Sequence, residues 1–321
     1  MVPLIAVAVA AVISWVWCRA LPIVGTRLGY LDVPGEDTLK VHTQPAIPLA
    51  APGLLAGLLI GLAILGEFDP LLAAGLVLVA ALGIVDDRLD LSPVLRLAAE
   101  LAIAVLLSMR WWEDGPGLFL FGVIAIVVTI NAVNLYDGID LLAGCTGVVG
   151  LVGIALFAAA VGSTPWLAAI TAAAVVGFLP HNRPPARVFL GDGGAYTLGA
   201  VTAVSIIDLG AGTGWAQTAA GLGFLGMFAV DLVATVLRRV ASKAPLFEGD
   251  RSHLYDRMAG ARGDIVPVVV TLTLAHGLLI AVTAAAILLL PSVAAFSVVV
   301  ATGALAALAA WHWAPTRDAA A

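Results

Sequence analysis

Charged residues are scarce in this sequence, at 11% of 321 residues, whereas hydrophobic residues make up 62%. A soluble domain averages about 25% charged residues, so the composition excludes an ordinary soluble globular domain. The apolar runs approach the roughly 20 residues that a helix needs to cross a bilayer. They are too long and too continuous for the alternating strands of a membrane barrel. The sequence therefore predicts an all-α, polytopic membrane protein.

The sequence also has few cysteines and no basic, aromatic cluster. Two cysteines, Cys18 and Cys145, exclude a disulfide framework and a thiolate metal site. A net charge of −6 and the lack of a basic, aromatic patch argue against nucleic acid as a partner. No basic segment precedes the first apolar run, so we expect residues 2–17 to form a retained first span rather than a cleaved signal.

We predict one integral-membrane domain over residues 1–321, a helical bundle with eleven transmembrane helices. The spans lie near 2–18, 49–66, 70–84, 93–109, 118–133, 141–161, 165–180, 194–208, 216–237, 265–290 and 291–311. Lys and Arg are enriched in cytoplasmic loops. With the N-terminus outside and the C-terminus inside, 14 of the 15 basic residues fall in inner segments. This asymmetry predicts a multi-pass protein of the inner (plasma) membrane with a cytoplasmic active site.

The predicted inner segments carry most of the polar residues. They are residues 19–48, 85–92, 131–140, 181–194 and 238–264. The second begins with three carboxylates, Asp86, Asp87 and Asp90, at a membrane boundary where ionised groups are costly. If the preceding helix continues, Asp86 and Asp90 share a face and Asp87 points away. The motif predicts either an acidic helix end or a site where Mg²⁺ bridges carboxylates to phosphate. Ser92 and Pro93 then predict the start of the next helix.

The first and third segments offer two further groups of polar side chains. Lys40 and His42 are cations that could bind an anionic head group, or they could belong to a solvated basic loop. The third segment places two asparagines and two aspartates three residues apart, at Asn131, Asn134, Asp137 and Asp140. Helix capping explains such residues singly. Four of them within ten residues favour a shared polar site.

The fourth and fifth segments combine an aromatic ring, glycines and cations. Phe189 offers a stacking face, and the glycines beside Asp192 let backbone amides approach an anion. The alternative for this segment is a glycine turn with Asp192 as a helix cap. In the fifth segment, Arg251 and His253 could hold a diphosphate, or its arginines could bind anionic lipid.

Two acids fall within the predicted spans. Glu100 follows Arg96 by four residues, a spacing that predicts an ion pair on one helix face. Asp231 has no obvious partner in the sequence. Acids inside spans are also typical of ion-coupled transporters, which would place them near span midpoints and show similarity between the two halves. Most acids of this chain lie instead at inner span ends.

Five successive inner segments match one family in order and spacing, from Asp32-x-Pro to Asp256. Four motifs carry the match. They are Asp86-Asp87-x-x-Asp90, Asn131-x-x-Asn134-x-x-Asp137-Gly-x-Asp140, Asn182-x-x-Pro-x-x-Val-Phe-x-Gly-Asp192 and Asp250-Arg-Ser-His253. On these residues the chain resembles the polyprenyl-phosphate N-acetylhexosamine-1-phosphate transferases of the glycosyltransferase 4 type. These enzymes are related to phospho-N-acetylmuramoyl-pentapeptide transferase.

The resemblance implies an enzyme that moves a sugar 1-phosphate from a UDP-sugar to polyprenyl phosphate and releases UMP. This would be the first membrane step of cell-envelope glycan synthesis, with Mg²⁺, or Mn²⁺ as an alternative, as cofactor and a homodimer as the family expectation. Asp86 and Asp87 would be the catalytic residues, and Asp192 and Asn134 would bind the metal. The substrate-binding residues would be Lys40, His42, Asp90, Asn131, Asp137, Asp140, Asn182, Phe189, Arg251 and His253.

The chain departs from the family pattern at several positions. Tyr255 and Asp256 stand where many relatives carry histidines, in a His-x-His-His motif, and Leu141 replaces a common glycine. The alternatives to an active transferase are a catalytically inactive homologue and an ion-coupled transporter.

Overall fold

The computed structural model describes residues 1–34, 44–210, 215–245, 251–262 and 264–312. Within these ranges the chain forms thirteen α-helices and no β-strand longer than an isolated bridge. They are α1 (Val2–Leu28), α2 (Ala51–Leu65), α3 (Pro70–Leu89), α4 (Pro93–Ser108), α5 (Pro116–Tyr136), α6 (Leu142–Ala160), α7 (Trp166–Phe178), α8 (Gly191–Gly210), α9 (Trp215–Gly221), α10 (Met227–Ser242), α11 (Leu254–Arg262), α12 (Ile265–Leu289) and α13 (Ser292–His312). The prediction of an all-α membrane bundle is confirmed.

Each of the eleven predicted spans coincides with helical structure, but their lengths differ. Seven helices are long and apolar enough to cross a membrane, namely α1, α3, α5, α6, α8, α12 and α13. The end of α9 and α10 would make an eighth span, although an 84° bend separates them. The helices α2, α4 and α7 have only 15, 16 and 13 residues. The count of eleven is therefore not confirmed, and the orientation of the termini stays a prediction.

Polar caps fix several helix starts. The Ser92 side chain accepts a hydrogen bond from Leu95 N–H at 3.4 Å, with Pro93 in the first turn of α4, as the sequence predicts. Asp69 caps α3 in the same way, accepting from two backbone amides at 2.8 and 3.1 Å. These caps satisfy amides that have no partner within their own helix.

The helix α8 lies at the centre of the bundle and packs against α3 and α5. In its most apolar 18-residue window, 89% of the residues are buried. Glycines make this packing close, because a Cβ built on Gly83 of α3 would overlap the backbone of Asp192 and Gly193. Small residues at helix crossings allow such close backbone approach within a membrane. The crossing brings the C-terminal end of α3 onto the N-terminal end of α8.

Short backbone bridges fix the segments that surround this crossing. Ile47 pairs with the segment before α8, since its amide donates to Arg187 O at 3.2 Å and its carbonyl accepts from Phe189 N–H at 3.0 Å. Asp32 pairs with Ala46 through two backbone hydrogen bonds. The flanks of the first inner segment are therefore attached to the fourth, at the end of the bundle where α3 and α5 finish.

We predict that Gly83→Ala lowers the thermal unfolding midpoint of the purified protein in detergent. The added methyl group would meet backbone atoms that cannot rotate away, and overpacking of this kind typically costs about 1–3 kcal/mol. Gly117→Ala is the matched control, because a Cβ at Gly117 of α5 meets nothing within 4 Å. An unchanged midpoint for Gly83→Ala, or an equal loss for both variants, would contradict the proposed role of this crossing.

Candidate active site

The Asp87 carboxylate joins the end of α3 to the start of α8. Its two oxygens accept hydrogen bonds from Asp192 N–H at 3.0 and 3.2 Å, and Gly193 N–H donates to it as well. The first amides of a helix lack partners and carry partial positive charge, so a carboxylate stabilises them. Gly191 makes the approach sterically accessible, because it has a φ of +70° and a Cβ there would lie 2.8 Å from Asp87 Oδ2.

Asp86 is held by three partners and is only 6% exposed. The Tyr196 hydroxyl donates to Asp86 Oδ2 at 2.6 Å, and Leu91 N–H donates to Oδ1 at 3.0 Å. The Arg96 guanidinium lies 3.7 Å from Oδ2. The Asp192 carboxyl also lies within hydrogen-bonding distance of Asp86. Asp86 is therefore a fixed carboxylate behind the surface that Asp87 and Asp192 form.

A cavity of about 390 Å³ opens beside this crossing. Eight of the residues that the sequence predicts for the site line it, and they come from four separate segments of the chain. They are Asp87, Asn134, Asp137, Asp140, Asn182, Phe189, Asp192 and Arg251. The fold therefore gathers one polar site from residues up to 164 positions apart, Asp87 and Arg251.

Negative charge dominates the described wall of this cavity. Five carboxylates line it, and Arg251 is the only cation among its described lining residues. Burial, with added repulsion from the Asp192 and Asp140 carboxylates, raises the pKa of Asp137 to about 7. Neighbouring carboxylates repel each other unless a cation or a shared proton intervenes. The wall therefore favours a ligand that brings positive charge to these acids.

Two of the lining residues also brace the third segment against the fourth. Asn182 accepts from Leu141 N–H at 2.7 Å and donates to Val188 O at 3.0 Å. Asp140 accepts from Ala186 N–H at 3.0 Å. Leu141 has a φ of 69°, a left-handed conformation that is costly for a side chain of this size and that suits the glycine of relatives. The Asn182 hydrogen bond helps to hold Leu141 in that conformation.

Four other predicted site residues that the structure describes lie outside the cavity lining, namely Asp86, Asp90, Asn131 and His253. Asp90 is exposed and ends α3 with a φ of 49°, so it does not continue the helix face of Asp86. Asn131 lies between α4 and α5, where it donates to Glu100 Oε2 at 2.5 Å and to Val127 O at 3.0 Å. His253 is buried against Asp231. Lys40 and His42 lie outside the described residues. The substrate-binding roles of these residues stay predictions.

The intramembrane acids both have partners. Glu100 pairs with Arg96 at 3.7 Å, as the helix spacing predicts. Asp231, for which the sequence offers no obvious partner, is paired with His253, because its carboxylate lies 2.7 Å from His253 Nδ1. That pair joins residues on opposite sides of a loop, so no helical spacing reveals it.

Two further residues of the site are not predicted by the sequence motifs. Tyr196 holds Asp86, and its signal is the spacing of four residues from Asp192, which places both on one face of α8. Asp32 lines the cavity although it lies more than fifty residues before Asp86. Its signal is weak, because a lone aspartate before Val-Pro is also typical of a turn.

The described residues include no cluster of three or more His, Cys, Asp or Glu side chains arranged to hold a metal. The oxygen ligands that do line the cavity are carboxylates and side-chain amides, among them Asp87, Asp192, Asp137 and Asn134. Mg²⁺ accepts such donors and commonly uses one or two carboxylates, taking its remaining ligands from phosphates and water. This donor set fits Mg²⁺, provided that a substrate supplies further oxygens.

Comparisons with known proteins place this site within one family. The model of Glycosyl transferase family 4 matches residues 70–210, which include α3 to α8. An undecaprenyl-phosphate alpha-N-acetylglucosaminyl 1-phosphate transferase of Thermotoga maritima is 30% identical over 76% of this chain and 78% of its own length. A phospho-N-acetylmuramoyl-pentapeptide-transferase of a Picosynechococcus species is 31% identical over 78% of this chain and 75% of its own length.

A further relative, from Bacillus subtilis, is a probable undecaprenyl-phosphate N-acetylglucosaminyl 1-phosphate transferase. It is 27% identical over 73% of this chain and 71% of its own length. The aligned regions are long, and the matched family segment contains the Asp87–Asp192 contact and most of the cavity wall. The chain therefore belongs to glycosyl transferase family 4, a family of phosphosugar transferases.

Proposed function

We propose that this protein transfers N-acetylhexosamine 1-phosphate from a UDP-sugar to polyprenyl phosphate, at the cytoplasmic face of the plasma membrane, with release of UMP. The main support for this proposal is that Asp87, Asp137 and Asp192, from three segments of the chain, line one cavity at the end of a membrane bundle. The names of the relatives support both the lipid phosphate and the N-acetylated sugar. A lipid-borne substrate reaches such a cavity from the bilayer, and a nucleotide reaches it from the cytoplasm.

The carboxylates serve this reaction through a divalent cation. We assign Asp192 and Asn134 as Mg²⁺ ligands, with Mn²⁺ as an alternative metal, because both side chains face the cavity with oxygen donors. When bound, the cation screens the two anionic substrates from each other and stabilises the charge on the transferred phosphorus. Asp87 holds the start of α8, so it fixes the position of the backbone that carries Asp192.

Asp86 is buried and does not line the cavity, so we assign it the role of orienting the lipid phosphate through Arg96. A phosphate monoester has a second pKa near about 6, so at neutral pH it needs orientation more than it needs a strong base. Tyr196 and Arg96 restrict the Asp86 carboxylate to one position, and the Arg96 side chain remains 26% exposed beside it. We favour direct attack of the lipid phosphate on the phosphorus that is linked to the sugar.

The remaining cavity residues suit the nucleotide sugar. The Phe189 ring provides a face on which a uracil base can stack. Arg251 provides a guanidinium for the diphosphate, with a donor geometry that matches phosphate oxygens. Asp137 and Asp140 offer acceptors for hydroxyl or amide groups of the donor.

The direct test uses the purified protein with polyprenyl phosphate, Mg²⁺ and a panel of UDP-sugars. We expect UMP and a lipid-linked sugar diphosphate to form from a UDP-N-acetylhexosamine, and chelation of the metal to stop the reaction. Failure of every UDP-sugar in the panel would contradict the proposed donor class.

We predict that Asp86→Asn and Asp192→Asn each reduce the rate of product formation by roughly 100-fold or more. This is the effect typical of losing one strong electrostatic contact to a transition state. Both variants should remain folded, since an amide has nearly the same shape as a carboxylate and the Tyr196 hydroxyl can accept a hydrogen bond from the amide that replaces Asp86. The control is Glu113→Gln, an exposed acid beyond the far end of α5. Near-normal turnover in either aspartate variant would contradict its role.

The two asparagines of the cavity should respond differently to truncation. Asn134 makes no side-chain hydrogen bond within the described part of the chain, so Asn134→Ala should reduce activity without lowering the unfolding midpoint. Asn182→Ala orphans Leu141 N–H and Val188 O, each at a cost of about 1–3 kcal/mol. Its midpoint should fall even without substrate. The opposite pattern in paired thermal and activity measurements would contradict this division.

A further inference from the structure

A buried pair of side chains lies behind the cation side of the cavity. The Asp231 carboxylate of α10 is 1% exposed and the His253 side chain is 4% exposed. Asp231 Oδ2 lies 2.7 Å from His253 Nδ1, and Asp231 Oδ1 accepts from Leu254 N–H at 3.1 Å. A buried carboxylate needs donors, and both of its oxygens have one here. Asp231 therefore holds both the ring of His253 and the backbone of the next residue.

This contact determines how the imidazole is presented. Because a carboxylate can only accept, Nδ1 of His253 is the nitrogen that donates to Asp231, and Nε2 is the nitrogen that can act elsewhere. The Thr235 hydroxyl, one helical turn after Asp231, lies 3.3 Å from the same Nδ1. Two groups of α10 thus fix the ring from one side.

Tyr255 fixes the imidazole from the other side. The two rings stack with centroids 5.3 Å apart and planes 7° from parallel. The Tyr255 hydroxyl donates to Leu135 O at 3.0 Å. A Cβ at Gly138 would overlap the Tyr255 ring and hydroxyl, so glycine at that position makes room for it. Tyr255 therefore connects His253 to the segment that carries Asn134 and Asp137.

Asp256 fixes Arg251 in the same region. The Arg251 guanidinium forms an ion pair with Asp256 Oδ1 at 2.7 Å and donates to Gly138 O at 3.3 Å. Burial raises the pKa of Asp256 to about 6, and the neighbouring Arg251 guanidinium opposes this rise. A guanidinium that two partners already hold in place loses less conformational entropy when it binds an anion, which favours binding.

We propose that Asp231, Tyr255 and Asp256 are positioning residues that fix His253 and Arg251 for the diphosphate and sugar of the donor. This inference rests on the proposed function. Tyr255 and Asp256 are two positions at which the chain departs from the histidines of many relatives. In this chain they replace those histidines with a stacking ring and an ion-pair partner, so Arg251 in the cavity wall and His253 behind it both keep fixed positions.

Asp231→Asn is the most direct variant. Its two partners, His253 Nδ1–H and Leu254 N–H, are both donors, and an amide offers only one acceptor oxygen. We expect kcat/KM for the UDP-sugar to fall roughly 10- to 100-fold, the range measured for carboxylates that orient histidine ligands. Inhibition by UMP, which lacks the second phosphate and the sugar, should be unchanged. The matched control is Asp208→Asn, a carboxylate that accepts from Arg110 and Trp111 at the other end of α8.

A double-mutant comparison separates positioning from general destabilisation. If Asp231 acts through His253, then Asp231→Asn should have no further effect on kcat/KM in a His253→Ala background. Additive losses, or an equal loss for Asp208→Asn, would overturn the proposal.

If Asp231→Asn does not fold, Tyr255→Phe takes its place. This variant keeps the ring but loses the hydrogen bond to Leu135 O, and it should raise the KM for the UDP-sugar severalfold. An unchanged KM for Tyr255→Phe would then overturn the proposal.

Hydrogen exchange provides a readout that does not depend on activity. The Leu254 amide donates to Asp231, so exchange in residues 251–256 should be faster in Asp231→Asn than in wild type or Asp208→Asn. Equal exchange in all three proteins would overturn the positioning role. If the wild-type protein is inactive but residues 251–256 exchange faster in Asp231→Asn, the transferase proposal is contradicted. The positioning role of Asp231 is then still supported.

Discussion

The hydrogen bonds between the Asp87 carboxylate and the first amides of α8 are the contact on which the cavity depends. Asp87 lies in the last turn of α3 and Asp192 in the first turn of α8, and the glycines Gly83, Gly191 and Gly193 allow their backbones to meet. A helix N-terminus that is buried without a partner would be costly, and here a carboxylate from a distant segment supplies the partner. This contact sets Asp192 beside Asp86, and Tyr196 of the same helix then holds Asp86.

Charge is divided across the cavity in a way that suits two anionic substrates. The side formed by α3, α5 and α8 is acidic and offers oxygen donors, which fits a divalent cation. The side formed by the segment before α11 offers Arg251, with His253 behind it, and both are held by acids that do not face the cavity directly. Under the proposed function, a cation held by the acidic side and the Arg251 guanidinium would stabilise charge on the same diphosphate.

The sequence predicts the helices and much of the site, because both depend on local patterns. Apolar runs, Ser92–Pro93 and clustered acids are visible in the chain, and eight predicted residues line the cavity. Long-range pairing is not visible in this way. The Asp231–His253 pair requires a loop to fold back onto α10, and the partner of Asn131 lies on another helix. The number of membrane spans also cannot be counted from apolar runs alone, because α2, α4 and α7 are apolar but shorter than a membrane-crossing helix.

The central claim is that two anionic substrates react directly in this cavity, and exchange of labelled UMP into the UDP-sugar pool tests it most directly. The purified protein, Mg²⁺ and UDP-N-acetylhexosamine would be incubated with labelled UMP, with and without polyprenyl phosphate. Direct attack predicts label in the UDP-sugar only when the lipid phosphate is present, because the reverse reaction needs the lipid-linked sugar. Exchange without the lipid would indicate a covalent enzyme intermediate and contradict direct attack. No exchange under either condition, with any UDP-sugar, would contradict the transferase itself.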